Sequence, residues 1–119
     1  MNGRSRRFAA LRATRELAAC SDHELRSLLG HSDEVSVAAG TAVAQEGRYC
    51  TEFVVVMEGT LSAGTNGSRR RLTTGDSYGW RPMWERSANE TTLVAETDAR
   101  LLVMGHEQFR AVKGIAGSG

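Results

Sequence analysis

The chain has 119 residues, enough for one modest hydrophobic core and too few for two domains. With 40% hydrophobic and 24% charged residues it has the balance of an ordinary soluble globular domain, and a formal charge of +1 supplies no general field for nucleic acid or a membrane surface. No apolar run approaches the ~20 residues of a membrane-spanning helix, and the basic N-terminus has too short an apolar stretch for a secretory signal, so a cytoplasmic location is expected.

The first thirty residues read as helix. In RFAALRATRELAAC, Phe8, Leu11, Arg15 and Ala18 share one face at a period near 3.6, with Leu17 close by. Ser21 followed three residues later by Glu24 is a capping-box signature for a second helix, whose apolar stripe is Leu25, Leu28 and Leu29 and whose stop is Gly30.

From residue 34 the period changes to that of strands. Val35 and Val37 alternate with polar partners, turns fall at Gly40 and Gly47, and Val43 lies between them. EFVVVMEGTLSAG is the most apolar run and the best candidate for a strand buried on both faces. Asn66-Gly67 is a strong two-residue hairpin signal, because both positions tolerate positive φ. SRRRL, residues 68–72, then reads as a solvated hairpin arm. After a Gly-Asp turn at Gly75-Asp76, Pro82 suits the N1 position of a short helix carrying Trp80 and Trp84. TTLVAETDARLLVMG holds two strands separated at Thr97-Asp98. A short helix over 106–112 and a frayed tail over 113–119 complete the chain. The order is one domain over 1–119: helical to residue 30, seven or eight short strands over 34–104, then the terminal helix. The fold class is mainly β with flanking α, an antiparallel β-roll or jelly-roll barrel with helices at one end.

Several of these stretches, in order and at matching intervals from about Leu17 to Phe109, resemble the cyclic nucleotide-binding domain of catabolite-activator-type regulators, kinase regulatory subunits and gated channels. LAACSDHELRSLLGHSDEVSVAAGTAVAQEG is similar to the family's helix and first strands, FVVVMEGTL to its central strand, and LTTGDSYGW to the start of its phosphate-binding cassette. TTLVAETDARLLVMGHEQF resembles the two strands and helix start on the C-terminal side of that cassette.

The resemblance implies a cassette that runs Gly-Glu, a short helix, then Arg, two small residues and Thr or Val. The helix N-terminus offers N–H groups to a cyclic phosphate, the arginine pairs with it bidentately, and the glutamate accepts from the ribose 2′-hydroxyl. Aligned without a gap from Gly79, this chain places Trp80 at the glutamate position, Asn89 at the arginine position, Glu90 and Thr91 at the small pair and Thr92 at the hydroxyl. Loss of the ion pair and of the ribose acceptor, with a carboxylate added beside the phosphate, amounts to ~3–5 kcal/mol, several hundred- to several thousand-fold in affinity. A three-residue shift would instead put Arg86, Ser87 and Ala88 at the arginine and small pair, and Arg81 is a second substitute cation.

The expectation is therefore a non-enzymatic regulatory or protein-interaction module with a degenerate cassette, whose candidate ligand positions are Gly79, Trp80, Arg81, Arg86, Asn89, Glu90 and Thr91. It needs no cofactor. Trp80 and Trp84, four residues apart, are expected to plug the pocket or cover the barrel mouth, or to present an aromatic surface to a partner. That partner is expected to be a protein or an output domain carried elsewhere, not nucleic acid or membrane; neither a helix-turn-helix nor a channel segment occurs among the 119 residues. The alternative is a genuine cAMP or cGMP sensor that uses Arg86 or Arg81. A cupin-type metal barrel is a remote third reading, because His23, His31 and His106 are scattered. Cys20 and Cys50, lacking a pattern, are expected to be reduced and unpaired.

Overall fold

A computed structural model describes residues 3–65 and 67–116. The N-terminal third forms three helical pieces instead of two. α1 (Gly3–Ala13) ends because Thr14 turns to extended geometry, φ −74° and ψ 121°, while its hydroxyl donates back to the Ala10 carbonyl at 2.8 Å. The expected single face is thereby split. Leu11 and Leu17, the latter on a short 3-10 turn over Arg15–Leu17, are buried, but Arg15 points to solvent. α2 (Asp22–Leu29) begins on the expected capping box. The Ser21 hydroxyl accepts from Glu24 N–H, and Ser21 N–H donates to the Glu24 carboxylate.

Eight strands follow: β1 (Asp33–Val37), β2 (Ala42–Ala44), β3 (Glu52–Glu58), β4 (Leu61–Thr65), β5 (Ser68–Leu72), β6 (Ser77–Tyr78), β7 (Thr92–Ala95) and β8 (Ala99–Gly105). They form two antiparallel four-stranded sheets, in the orders β1-β8-β3-β6 and β2-β7-β4-β5. This is the expected antiparallel β-roll. In the β4–β5 hairpin Thr65 pairs with Ser68, which leaves a two-residue loop; Asn66 lies outside the described residues, and Gly67 has φ +86°.

β3 is buried on both faces, as its composition suggests. Val54 and Val56 face the space between the sheets, with Leu61, Leu72, Leu93 and Leu101. Phe53, Val55 and Met57 face a second core, built from the helices with Leu11, Leu17, Leu25, Leu28 and Phe109. The period of 2 makes one strand serve both cores.

α3 (Trp80–Glu85) lies between β6 and β7, and α4 (His106–Ala116) closes the described chain. α4 runs four residues past the expected stop at 112. Buried Phe109 and Val112 hold one side of it, and the Lys113 ammonium lies 5.5 Å from the Trp84 ring, so tertiary contact carries the helix through Gly114. Of the expected tail, residues 117–119 lie outside the described residues.

Phe109 contacts Phe53, Trp80 and Trp84 at ring separations of 5.5, 5.7 and 6.1 Å, joining α4, β3 and α3. Phe109→Ala should therefore cost about 3–5 kcal/mol in urea unfolding, with a red-shifted tryptophan emission in the native baseline. A loss below about 1 kcal/mol would show that this aromatic cluster does not hold α3.

Candidate functional site

The cassette is anchored first by its turn. Asp76 accepts Thr73 N–H at 2.8 Å, and β6 pairs with β3 through Tyr78↔Val54 and Ser77↔Val55. Gly79 then takes φ +97°, and a Cβ there would stand 2.7 Å from the Glu52 carbonyl oxygen. Only glycine allows this left-handed turn so close to the backbone of β3. It makes Trp80 the first residue of α3, so Pro82 occupies the third helical position and not N1. The first helical bond is Met83 N–H to Gly79 carbonyl, so no donor is lost at Pro82.

The two tryptophans do not fill the pocket. Trp80 packs edge-on against Phe53, Trp84 and Phe109, over the helix-side core, and Trp84 sits beneath Lys113. A cavity of about 590 Å³ remains between α3 and the β4–β5 hairpin, and Trp80 forms part of its wall.

Gly79, Trp80, Arg81, Glu90 and Thr91 all border this cavity; Arg86 and Asn89 do not. Arg86 caps α3 in left-handed geometry, φ 52°, ψ 56°, with its side chain exposed and without a polar contact among the described residues. Arg81 is 71% exposed; its Nε donates to Glu85 at 3.2 Å, and its guanidinium lies 4.0 Å from Glu90. Asn89 is buried. Its Nδ2 donates to the Gln45 carbonyl at 3.0 Å, its N–H donates to the Arg48 carbonyl and its own carbonyl accepts from Gly47. It therefore staples the end of the cassette to the Glu46-Gly47 turn. Thr92 strengthens the same seam by accepting Glu46 N–H at 3.1 Å. The Tyr78 hydroxyl donates to the Thr91 carbonyl and closes the inner wall.

The cavity has cations that sequence reasoning passed over. Arg15, Arg69 and Arg70 join Arg81 around it, against Glu16 and Glu90. The available signal was alternation in SRRRL. Once Leu72 faces the core, Arg70 must share its face. Among the described residues, no three His, Cys, Asp or Glu side chains are placed to hold a metal, and no helix is long and apolar enough to cross a membrane.

Residues 34–113 match the family model described as the cyclic nucleotide-binding domain. The chain belongs to this family. Solved structures similar to this cyclic nucleotide-binding domain include cAMP-bound PfPKA-R (141–441), at 17% identity over 93% of this chain and 40% of that one, with a TM-score of 0.83. Another is the regulatory domain of Toxoplasma gondii PKA with cAMP, at 18% identity over 97% and 45%, with a TM-score of 0.84. A third is the N-terminal domain of a transcriptional regulator from Streptomyces coelicolor A3(2), at 22% identity over 88% and 77%, with a TM-score of 0.77. The chain thus spans less than half the length of the two PKA structures. A search of curated proteins finds no match.

Burial raises the thiols of Cys20 and Cys50 above their ordinary 9.0 and the Tyr78 hydroxyl above its ordinary 10.0. The folded domain keeps these protons to higher pH than the unfolded chain. Their contribution is therefore complete below the ordinary values and is lost as pH rises through the folded ones. Tm should stay flat from about pH 7 to 8.5 and fall beyond about pH 9; a Tm that rises in that alkaline range would contradict the burial of these groups. At the cassette turn, Gly79→Ala should cost roughly 1–3 kcal/mol in the same unfolding assay. A neutral result would mean that the turn relaxes freely.

Proposed function

We propose that this cyclic nucleotide-binding domain is a non-catalytic regulatory module that acts on a protein partner or an output domain and does not take cAMP or cGMP in the family's usual way. Its proposed setting is the cytoplasm. The observation that carries this reading is Asn89. At the position where the family's phosphate arginine is expected, a buried amide spends its donor on the Gln45 carbonyl and borders no part of the cavity. Trp80 offers an indole where the ribose acceptor would be, and the Glu90 carboxylate stands where a small residue would leave room for the phosphate. The Arg81 charge is already shared with Glu85 and Glu90. These are the substitutions whose summed cost is ~3–5 kcal/mol, which turns a micromolar site into a millimolar one.

One observation favours a second reading, a working cAMP or cGMP receptor: Arg81 borders the cavity, and solved structures with this fold include cAMP complexes. The sensor would use Arg81, or Arg86 after a rearrangement of the α3 end.

Calorimetric titration with cAMP and cGMP separates the two. The regulatory-module reading expects no saturable binding below about 0.5 mM. Micromolar binding that falls at least tenfold in Arg81→Ala or Arg86→Ala would replace it with the sensor reading.

A further inference from the structure

The strand register sets one arginine of SRRRL, exposed like its neighbours, on the face that leads toward the roll interior. In the β4–β5 ladder Leu61 pairs with Leu72 and Ala63 with Arg70. Leu61, Ala63 and Leu72 are buried in the core between the sheets, so Arg70 leaves the backbone on the side facing the roll interior. Its neighbours leave on the other side. Arg69 borders the cavity too, but its guanidinium is held by donating to the Ser62 hydroxyl at 3.0 Å and to the Ser62 and Thr92 carbonyls, and Arg71 pairs with Glu96 at 3.6 Å. Gly64 leaves room for Arg69, since a Cβ there would meet the Arg69 Cγ at 2.9 Å.

Arg70 borders both the 590 Å³ cavity and an adjoining recess of about 190 Å³ formed with Gly75, Asp76 and Ser77. The carboxylates around it are engaged elsewhere. Glu16 accepts the Ser77 hydroxyl at 2.6 Å and lies 3.8 Å from Arg15; Asp76 accepts Thr73 N–H; Glu90 is on Arg81. Among the described residues Arg70 has no ion pair. A guanidinium without a counter-ion at the edge of a concave site is a ready partner for a carboxylate or phosphate. The opposite wall is different in kind: Trp80 and Pro82 present apolar and aromatic surface. The volume is that of a small-molecule site.

We propose that this cavity binds a small organic anion with its acid group on Arg70 and its flat apolar body toward Trp80, the reverse of a ligand whose charge sits at the cassette helix. The polarity follows from where charge is unmet. At the helix end the Arg81 charge is offset by Glu85 and Glu90; across the cavity Arg70 has no such partner among the described residues and attracts an anion. This rests on the reading that the cassette itself no longer supplies the phosphate partner, and it names the ligand class that the regulatory module would sense.

The test is titration of 15N-labelled protein with benzoate, phenyl phosphate and inorganic phosphate, with cAMP in parallel. Saturable shifts of the Ala63, Gly79 and Trp80 amides are expected with benzoate or phenyl phosphate, and weaker ones with inorganic phosphate. Arg70→Gln should weaken binding about tenfold, Arg70→Lys less, and Arg71→Gln, which removes the same charge from the other face, by no more than about twofold. The unliganded spectra of the variants report that they fold. No saturable shift with either organic anion, or equal loss in Arg70→Gln and Arg71→Gln, would overturn the site. Micromolar cAMP binding insensitive to Arg70 would overturn both readings. Micromolar cAMP binding lost in Arg70→Gln would overturn the proposed function alone and leave Arg70 as the anion partner.

Discussion

β3 presents buried side chains at five successive positions, Phe53 to Met57, so it has no solvent face and two cores must form around it. Its even-numbered residues close the space between the sheets, and its odd-numbered residues meet the helices. The start of the cassette is referred to this strand. β6 pairs with it, Gly79 turns against its Glu52 carbonyl, and Trp80 rests on its Phe53. A cassette held this way is positioned by backbone and aromatic contacts that require no ligand.

Of the candidate ligand positions, those contacts draw only on Gly79 and Trp80. Asn89 is short enough to turn away from the cavity and bind the Gln45 carbonyl, and its backbone pairs with Gly47 and Arg48. A position that the family resemblance assigns to ligand recognition is here satisfied within the protein. Buried polar groups must find partners, and Asn89 finds its own in the neighbouring turn. The tryptophans act in the same direction, spending their area on Phe109 and Phe53, and leave the cavity open beside them.

Charge around that cavity is divided by wall. Arg81 and Glu90 pair on the cassette side, Arg15 and Glu16 pair at the helical rim, and β5 contributes Arg70 without a counter-ion among the described residues. With the protein near neutrality overall, the proposed anion site rests on this local imbalance and not on the net charge.

Much of the architecture could be read from the chain because its signals are local. The Ser21/Glu24 box starts α2, the apolar run over 53–57 makes a strand buried on both faces, and glycines at turns mark where strands end. Helix ends were less legible. Thr14 breaks α1 through a bond to Ala10, and Lys113 prolongs α4 over Trp84, both decided by contacts and not by propensity. The sequence alone carried the family resemblance and, through it, the expectation that Asn89 and Trp80 stand where charged groups would be. Only the tertiary structure decided where their side chains go and that the face Arg70 shares with Leu72 borders the cavity. A side chain's direction depends on strand register and on which neighbours bury the adjacent face, and neither is written in the order of residues.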